Sequence, residues 1–421
     1  MFKKITLKNG LRILTVPRKG TGAVTVLVLV STGSKYEKKE ISGISHFLEH
    51  MLFKGTKKRP DKLEIAESLD KIGGLYNAFT GEDYTGYFAK VASSQFDIAL
   101  EWVSDIFLNS LLSSKEIQRE KGVIIEEINM IYDNPMAHVE ILWNKLLYGD
   151  QPAGWDIAGT KETVSNINRQ KLQDYMKSQY AAKNTIVVIA GNIKQAEVIN
   201  KVKKTFSSIR TSQSFEKAKV IEIQTQPGCL IHPRKTDQTH LVLGVRGYNV
   251  FHPQKYAQDI LSVVLGGMMS SRLFMEVREK LGLAYYIRTE VDSNADTGSL
   301  MTRAGIENNN VEKAISVILK EYKKISSQPL PPPELKKAKE YIKGKTTLLL
   351  ESSDALASFF GAQELLEKKM LTPSEIYAKL DKVSSNDVLK TARDIFRPQR
   401  LNLALIGPFE NKNRFNKILT L

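Results

Sequence analysis

His46-Phe47-Leu48-Glu49-His50 places two imidazoles and a carboxylate within one helical turn, in the order His-x-x-Glu-His. Residues four apart on a helix share a face, so both rings can reach a single ion as neutral nitrogen ligands. Glu49 cannot add a third ligand from the same turn without straining a tetrahedron. It can stand beside the fourth, water-occupied position and take a proton there, which makes it the candidate general base. The expected chemistry is hydrolysis by metal-activated water, with one Zn2+ per chain bound through His46 and His50.

Positioning these groups requires a helix with one buried face. Ile41, Ile44, Leu48, Met51 and Leu52 recur at three- and four-residue intervals and define an apolar stripe, with His46 and His50 on the opposite side. Ser42 is the expected cap of that helix. The third ligand should be an acid from another element. Residues 116–131, EIQREKGVIIEEINMI, read as a helix with Ile117, Ile124, Ile128 and Ile131 inward. Glu120 and Glu127 project from one edge of that stripe, whereas Glu126 lies opposite and should face water. Glu127 is therefore the expected ligand and Glu120 a carboxylate that orients a ligand or tunes its charge. Without the two histidines, the same run would read as an ordinary acidic helix face.

With these residues in view, the chain resembles the inverted zinc metallopeptidases, the family of pitrilysin, insulysin and the mitochondrial processing peptidase. The interval of 77 positions from His50 to Glu127 is similar to the family's spacing from second histidine to ligand glutamate, and Glu120 matches its additional acid one heptad earlier. Gly73-Gly74-Leu75-Tyr76-Asn77-Ala78-Phe79-Thr80 resembles the family's GGxxNAxT stretch, an exposed strand that pairs with substrate backbone in relatives. The resemblance thus implies substrate binding at Asn77, Ala78 and Phe79. A physical rationale runs beside it: an enzyme acting on many sequences must hold main chain, and an open sheet edge does so by adding a strand. A hairpin that binds nothing would carry the same residues. Ser271 to Tyr285, SRLFMEVREKLGLAY, is similar to the family's SRLFxxVREKxGLAY segment. By that resemblance Arg278 and Tyr285 stabilise the carbonyl oxygen as it gains negative charge. Unaided, they would read as a surface charge and a strand aromatic.

Length and composition fit two domains of about 200 residues, each with a real core, since 42% of the 421 residues are hydrophobic. A formal charge of +15 raises the alternative of a nucleic-acid or membrane-surface protein. The excess is mostly lysine, however, scattered in pairs such as Lys57-Lys58 and Lys203-Lys204 rather than gathered with aromatics, so no nucleic-acid partner is expected. The single cysteine, Cys229, excludes an internal disulfide. The longest apolar run near the start, Ala23 to Val30, is too short to span a bilayer. No membrane anchor is expected, and the expected location is the bacterial cytoplasm.

The chain also reads as a duplication. Thr25-Val26-Leu27-Val28-Leu29-Val30 precedes the metal helix, and Thr239-His240-Leu241-Val242-Leu243-Gly244-Val245 precedes the helix of Ala257 to Leu265. An apolar strand ending in glycine closes each half, Thr185 to Gly191 and Leu401 to Gly407. The offsets of these pairs are about 214 and 216 residues, which implies two halves of one fold. The expected limits are 1–212 for the zinc-bearing half, 213–228 for a polar linker and 229–421 for the half with the Arg278/Tyr285 segment. The expected class is α+β, two homologous domains, each a mainly antiparallel sheet covered by helices on one side. The family resemblance implies the same fold, that of the processing-peptidase-like metallohydrolases.

The resulting expectation is a zinc endopeptidase or oligopeptidase that hydrolyses unfolded peptides in an enclosed chamber. Relatives of this length imply a homodimer. The competing class is a non-catalytic or heterodimer-dependent subunit of the same family.

Overall fold

A strand whose residues are apolar on both faces must be covered on both, and Ala23–Val30 (AVTVLVLV) is such a strand. In the computed structural model, which describes residues 2–212 and 216–421, it lies inside a six-stranded sheet. The strands of that sheet are β1 (Lys3–Thr6), β2 (Arg12–Pro17), β3 (Ala23–Val30), β4 (Leu75–Thr80), β5 (Thr85–Ala92) and β6 (Thr185–Gly191). Their order is β1-β2-β6-β3-β5-β4, antiparallel except for the β2/β6 pair. Register is fixed along β3, which pairs Val26 with Ile189 on one side and with Ala89 on the other.

The second sheet repeats the plan. β7 (Gly228–Pro233), β8 (Gln238–Arg246), β9 (Ala284–Ser293), β10 (Gly298–Glu307) and β11 (Leu401–Gly407) run in the order β7-β11-β8-β10-β9, again with one parallel pair, β7/β11. Removing β1 from the first sheet gives the same topology strand for strand. The duplication read from two apolar strand pairs is thereby extended to every strand of the second sheet.

Packing divides the chain into two units that do not follow chain order. The first comprises residues 1–129, 156–218 and 348–370, and the second residues 130–155, 219–347 and 371–421. The cause is one helix in each unit. In the first unit, Ser353–Leu366 lies across β3 and β6, where Ala357, Phe360 and Leu365 meet Leu14, Leu27, Leu29, Ile186 and Val188. In the second, Pro135–Tyr148 lies across β11 and β8, where Val139, Trp143 and Leu147 meet Val242, Ala404 and Ile406. Each sheet is therefore covered on both faces, not on one as expected, because each central strand is apolar on both sides and a single helical layer would leave one face in water. The first three residues of the expected linker, 213–215, lie outside the described residues, and residues 216–227 form neither helix nor strand.

The other face of the first sheet carries the layer that holds the functional residues. Helix α1 (Ile44–Leu52) buries Ile44, Phe47, Leu48, Met51 and Leu52 in a core shared with Phe96–Asn109 and with Ser114–Asp133. The second helix of the sequence reading is longer than expected by two residues at each end, with Ile117, Ile124 and Ile128 buried and Ile131 half-buried.

Candidate metal centre

The apolar stripe of α1 fixes which way its polar residues face. With the stripe buried, His46 and His50 emerge half-buried on the other side, their ring centroids 4.7 Å apart and nearly perpendicular. Glu127 meets them from the Ser114–Asp133 helix. Its Oε2 lies 3.7 Å from His46 Nε2 and 3.5 Å from His50 Nε2. One donor atom from each of the three residues lies within 4.8 Å of the others, and no other His/Cys/Asp/Glu cluster among the described residues meets that condition. Zinc with bonds of 2.0 to 2.1 Å in a tetrahedron separates its donors by roughly 3.3 Å, so this nitrogen and carboxylate set fits zinc with small side-chain adjustments.

The remaining nitrogen of each ring shows how the two imidazoles are oriented. His50 Nδ1 is 3.1 Å from Glu120 Oε2, while Glu120 Oε1 accepts from Lys54 Nζ at 2.8 Å. Glu120 is 3% exposed, so its charge is spent on these two partners rather than on water. That bond leaves His50 Nε2 for a metal. His46 Nδ1 is buried and has no hydrogen-bond partner, so its Nε2 is the nitrogen turned toward Glu127. Glu126 is exposed, as helical phase required.

Electrostatics mark the cluster as a place for one positive charge. Burial lowers the basicity of His50, but hydrogen bonds and charge from Glu120 and Glu127 overcome it and hold the ring up to about 9. Burial, reinforced by the charge on His50, pushes His46 down to about 4 despite Glu127. Glu127 is held low chiefly by its hydrogen bond with His50. The cluster thus favours a single positive charge, carried by a proton on His50 when no metal is bound, and a metal would have to displace that proton.

Glu49, on the same helix, is half-buried, and burial raises its affinity for a proton against the opposing pull of a hydrogen bond from Thr80 and the charge on His50. Thr80 Oγ1 donates to Glu49 Oε2 at 2.5 Å. Thr80 ends β4, the open edge of the sheet beside α1. Asn77 in that strand is exposed, with its Oδ1 accepting from Ala78 N–H at 2.9 Å; Ala78 and Phe79 are half-buried. The expected substrate strand is therefore an edge strand, at a hand's reach from the candidate base.

The start of α1 differs from the sequence reading. Ser42 does not cap it; the N-cap is Gly43, at φ 92°. Glu37 does the capping from outside the helix, with Oε2 accepting from Gly43 N–H at 2.7 Å and Oε1 from Ser45 N–H at 2.8 Å. Glycine is required at 43 for a second reason: a Cβ there would sit 2.4 Å from Ala158 O. Ser45 Oγ continues the buried network to Tyr175 and on to Thr32, at 2.7 and 2.8 Å. Glu37, Thr80 and Lys54 were not singled out by sequence reasoning. Only Thr80 had a signal, its place at the end of the glycine-led strand.

In the second unit, Arg278 lies on the π-helical turn Phe274–Lys280 and Tyr285 at the start of edge strand β9. They are neighbours: the Arg278 guanidinium stands 6.0 Å from the Tyr285 ring and 4.8 Å from that of Phe274. Tyr285 is 75% exposed, an unusual setting for a large aromatic with no core to fill. No helix among the described residues is long and apolar enough to cross a membrane.

Comparison with known proteins agrees with this geometry. Residues 12–161 match the model of the insulinase family, peptidase family M16, and residues 166–342 match the M16 inactive domain. A zinc protease of Bacillus subtilis, YmxG, is 38% identical over 98% of this chain and 99% of its own length. One from Streptomyces coelicolor is 31% identical over 97% and 90%. The crystal structure of a protease from Helicobacter pylori superposes with a TM-score of 0.91, at 26% identity, over 97% of this chain and 99% of that one. The chain is therefore a zinc-dependent metalloprotease that belongs to the insulinase family, peptidase family M16.

Proposed function

We propose that the protein is an endopeptidase or oligopeptidase acting on unfolded peptides, with His46, His50 and Glu127 as the zinc ligands and Glu49 as the general base. The observation that carries this reading is the convergence of three ligand atoms and a raised, proton-accepting carboxylate beside an open sheet edge. Bound zinc supplies Lewis-acid activation of water and of the peptide carbonyl. Glu49 takes the proton and passes it to the leaving amine. Glu120 holds His50 through Nδ1, so that the ring cannot turn its other nitrogen away. Asn77, Ala78 and Phe79 of β4 bind substrate main chain by strand addition, which demands an extended and therefore unfolded peptide. Arg278 and Tyr285 donate to the carbonyl oxygen as it gains charge; the exposure of Tyr285 supports a role that needs an accessible phenol.

The halves 1–212 and 229–421, joined by 213–228, are on this reading the two repeats of an enclosed chamber, completed in a homodimer of the chain. The test is cleavage of a pool of unstructured peptides of about 10 to 40 residues by zinc-loaded protein, with Glu49→Gln in parallel. Cleavage by the wild type that disappears in a variant still holding zinc supports the reading. A wild type that holds zinc and cuts nothing refutes it, and favours a subunit that is non-catalytic or needs a different partner chain.

A further inference from the structure

The side chains of β4 alternate between the two faces of the sheet. Tyr76 and Ala78 pack toward the layer of α1, and Phe79 toward the opposite core. Thr80, two residues beyond Ala78, shares the α1 side, and this is what allows its hydroxyl to reach Glu49. A slip of one residue would point Thr80 to the other face.

The end of the strand that carries Thr80 is clamped. Gly81 N–H donates to Tyr84 O at 2.9 Å across the hairpin, and Ser34 and Lys35 N–H donate to Gly81 O and Glu82 O at 3.2 and 3.1 Å. The Lys35 ammonium, 1% exposed, pairs with Glu82 at 2.8 Å, and Lys217 pairs with Asp83 at 2.7 Å. Thr85, the register partner of Thr80, donates its hydroxyl to Thr32 O at 2.9 Å. In contrast, Leu75 to Phe79 has β5 on one side only. One end of β4 is thus a fixed reference and the rest an open template.

We infer that Thr80 is a positioning residue that locks the Glu49 carboxylate to the substrate-binding strand. A glutamate side chain has three torsions to explore, and one directed bond at Oε2 removes most of that freedom while leaving Oε1 to accept the proton. A peptide that pairs with Leu75 to Phe79 arrives in register with the base, because strand and base share one anchor. The inference rests on the reading of Glu49 as base and β4 as substrate strand, and adds the residue that couples them.

Thr80→Val keeps the β-branched shape and the strand, and removes only the donor. Thr80→Ser keeps the donor and trims a methyl. Full-length, zinc-loaded proteins are compared for kcat and KM on one peptide that the wild type cleaves, with zinc content and melting midpoint measured alongside and Glu49→Gln as reference. Thr80→Val is expected to lower kcat about tenfold or more, the value of a hydrogen bond to a charged group, with KM within about twofold and zinc retained. Thr80→Ser is expected to recover most of the loss. Wild-type kcat in Thr80→Val overturns the inference, as does a Thr80→Ser protein as slow as the valine variant, or a loss confined to KM. Activity retained in Glu49→Gln is a separate outcome: it removes the base assignment, and the inference with it.

Discussion

The metal helix is anchored by a residue outside it, and Glu37→Gln tests that anchor. In the wild type both carboxylate oxygens of the buried Glu37 accept main-chain N–H groups at the helix start. The amide keeps one acceptor and turns the other into a donor, so one of Gly43 N–H and Ser45 N–H loses its partner in a dry site. Leaving a buried donor unsatisfied costs about 1 to 3 kcal/mol. In a body of roughly 200 residues that lowers the melting midpoint by about 2 to 12 °C. Charge adds a pH signature. Burial holds the Glu37 carboxyl up to about 8, against the opposing pull of Ser45 and Gly43, from an ordinary 4.5. An acid whose folded value is raised binds its proton more tightly in the folded state, so its contribution is complete below pH 4.5 and is lost as pH rises through 8. The glutamine variant lacks this term, and its deficit against wild type should therefore shrink between pH 6 and pH 9. The assay is calorimetric melting of both proteins, metal-free in chelator so that zinc linkage does not contribute. A variant melting within 1 °C of wild type, or a deficit that grows with pH, would refute the reasoning.

Two further outcomes are expected. Glu120→Gln removes the charge that holds His50 Nδ1 and pairs with Lys54, and should weaken zinc binding about 10- to 100-fold in competition with a chromophoric chelator; affinity within twofold of wild type would show that Glu120 does not tune the site. Phe360→Ala truncates a ring that is 4% exposed, tilted against Phe2 with centroids 5.1 Å apart and packed on the second face of the first sheet, and should cost about 3 to 5 kcal/mol by chemical denaturation. A loss under 1 kcal/mol would mean that this face does not need its helix.

Local pattern was enough for much of the site. His46, Glu49 and His50 lie four or fewer residues apart, so the helical period alone settles which side they share, and the same period separates Glu127 from Glu126 on the second helix. The duplication was legible for the same reason, since a strand apolar on both faces leaves a continuous run that repeats at a fixed offset. What no local rule carried was the choice of partners across the fold. Ser42 had the chemistry of a cap and the right position, yet Glu37 won because a loop folding back brings both oxygens of one carboxyl group to two N–H groups in a space free of water. Thr80 and Glu49 are distant in sequence, and meet only because β4 is the edge strand next to α1 and its alternation turns Thr80 to that side. The helix over the second face of each sheet comes from the other half of the chain, and an amphipathic pattern states that a face needs covering without naming what covers it. The sequence by itself determined the candidate ligand residues, their helical period and the repeated strands, because these depend on neighbours along the backbone. Tertiary structure alone decided which helix covers each second face, which carboxyl group caps the helix of His46 and His50 and which hydroxyl reaches Glu49, because those depend on distances that only packing sets.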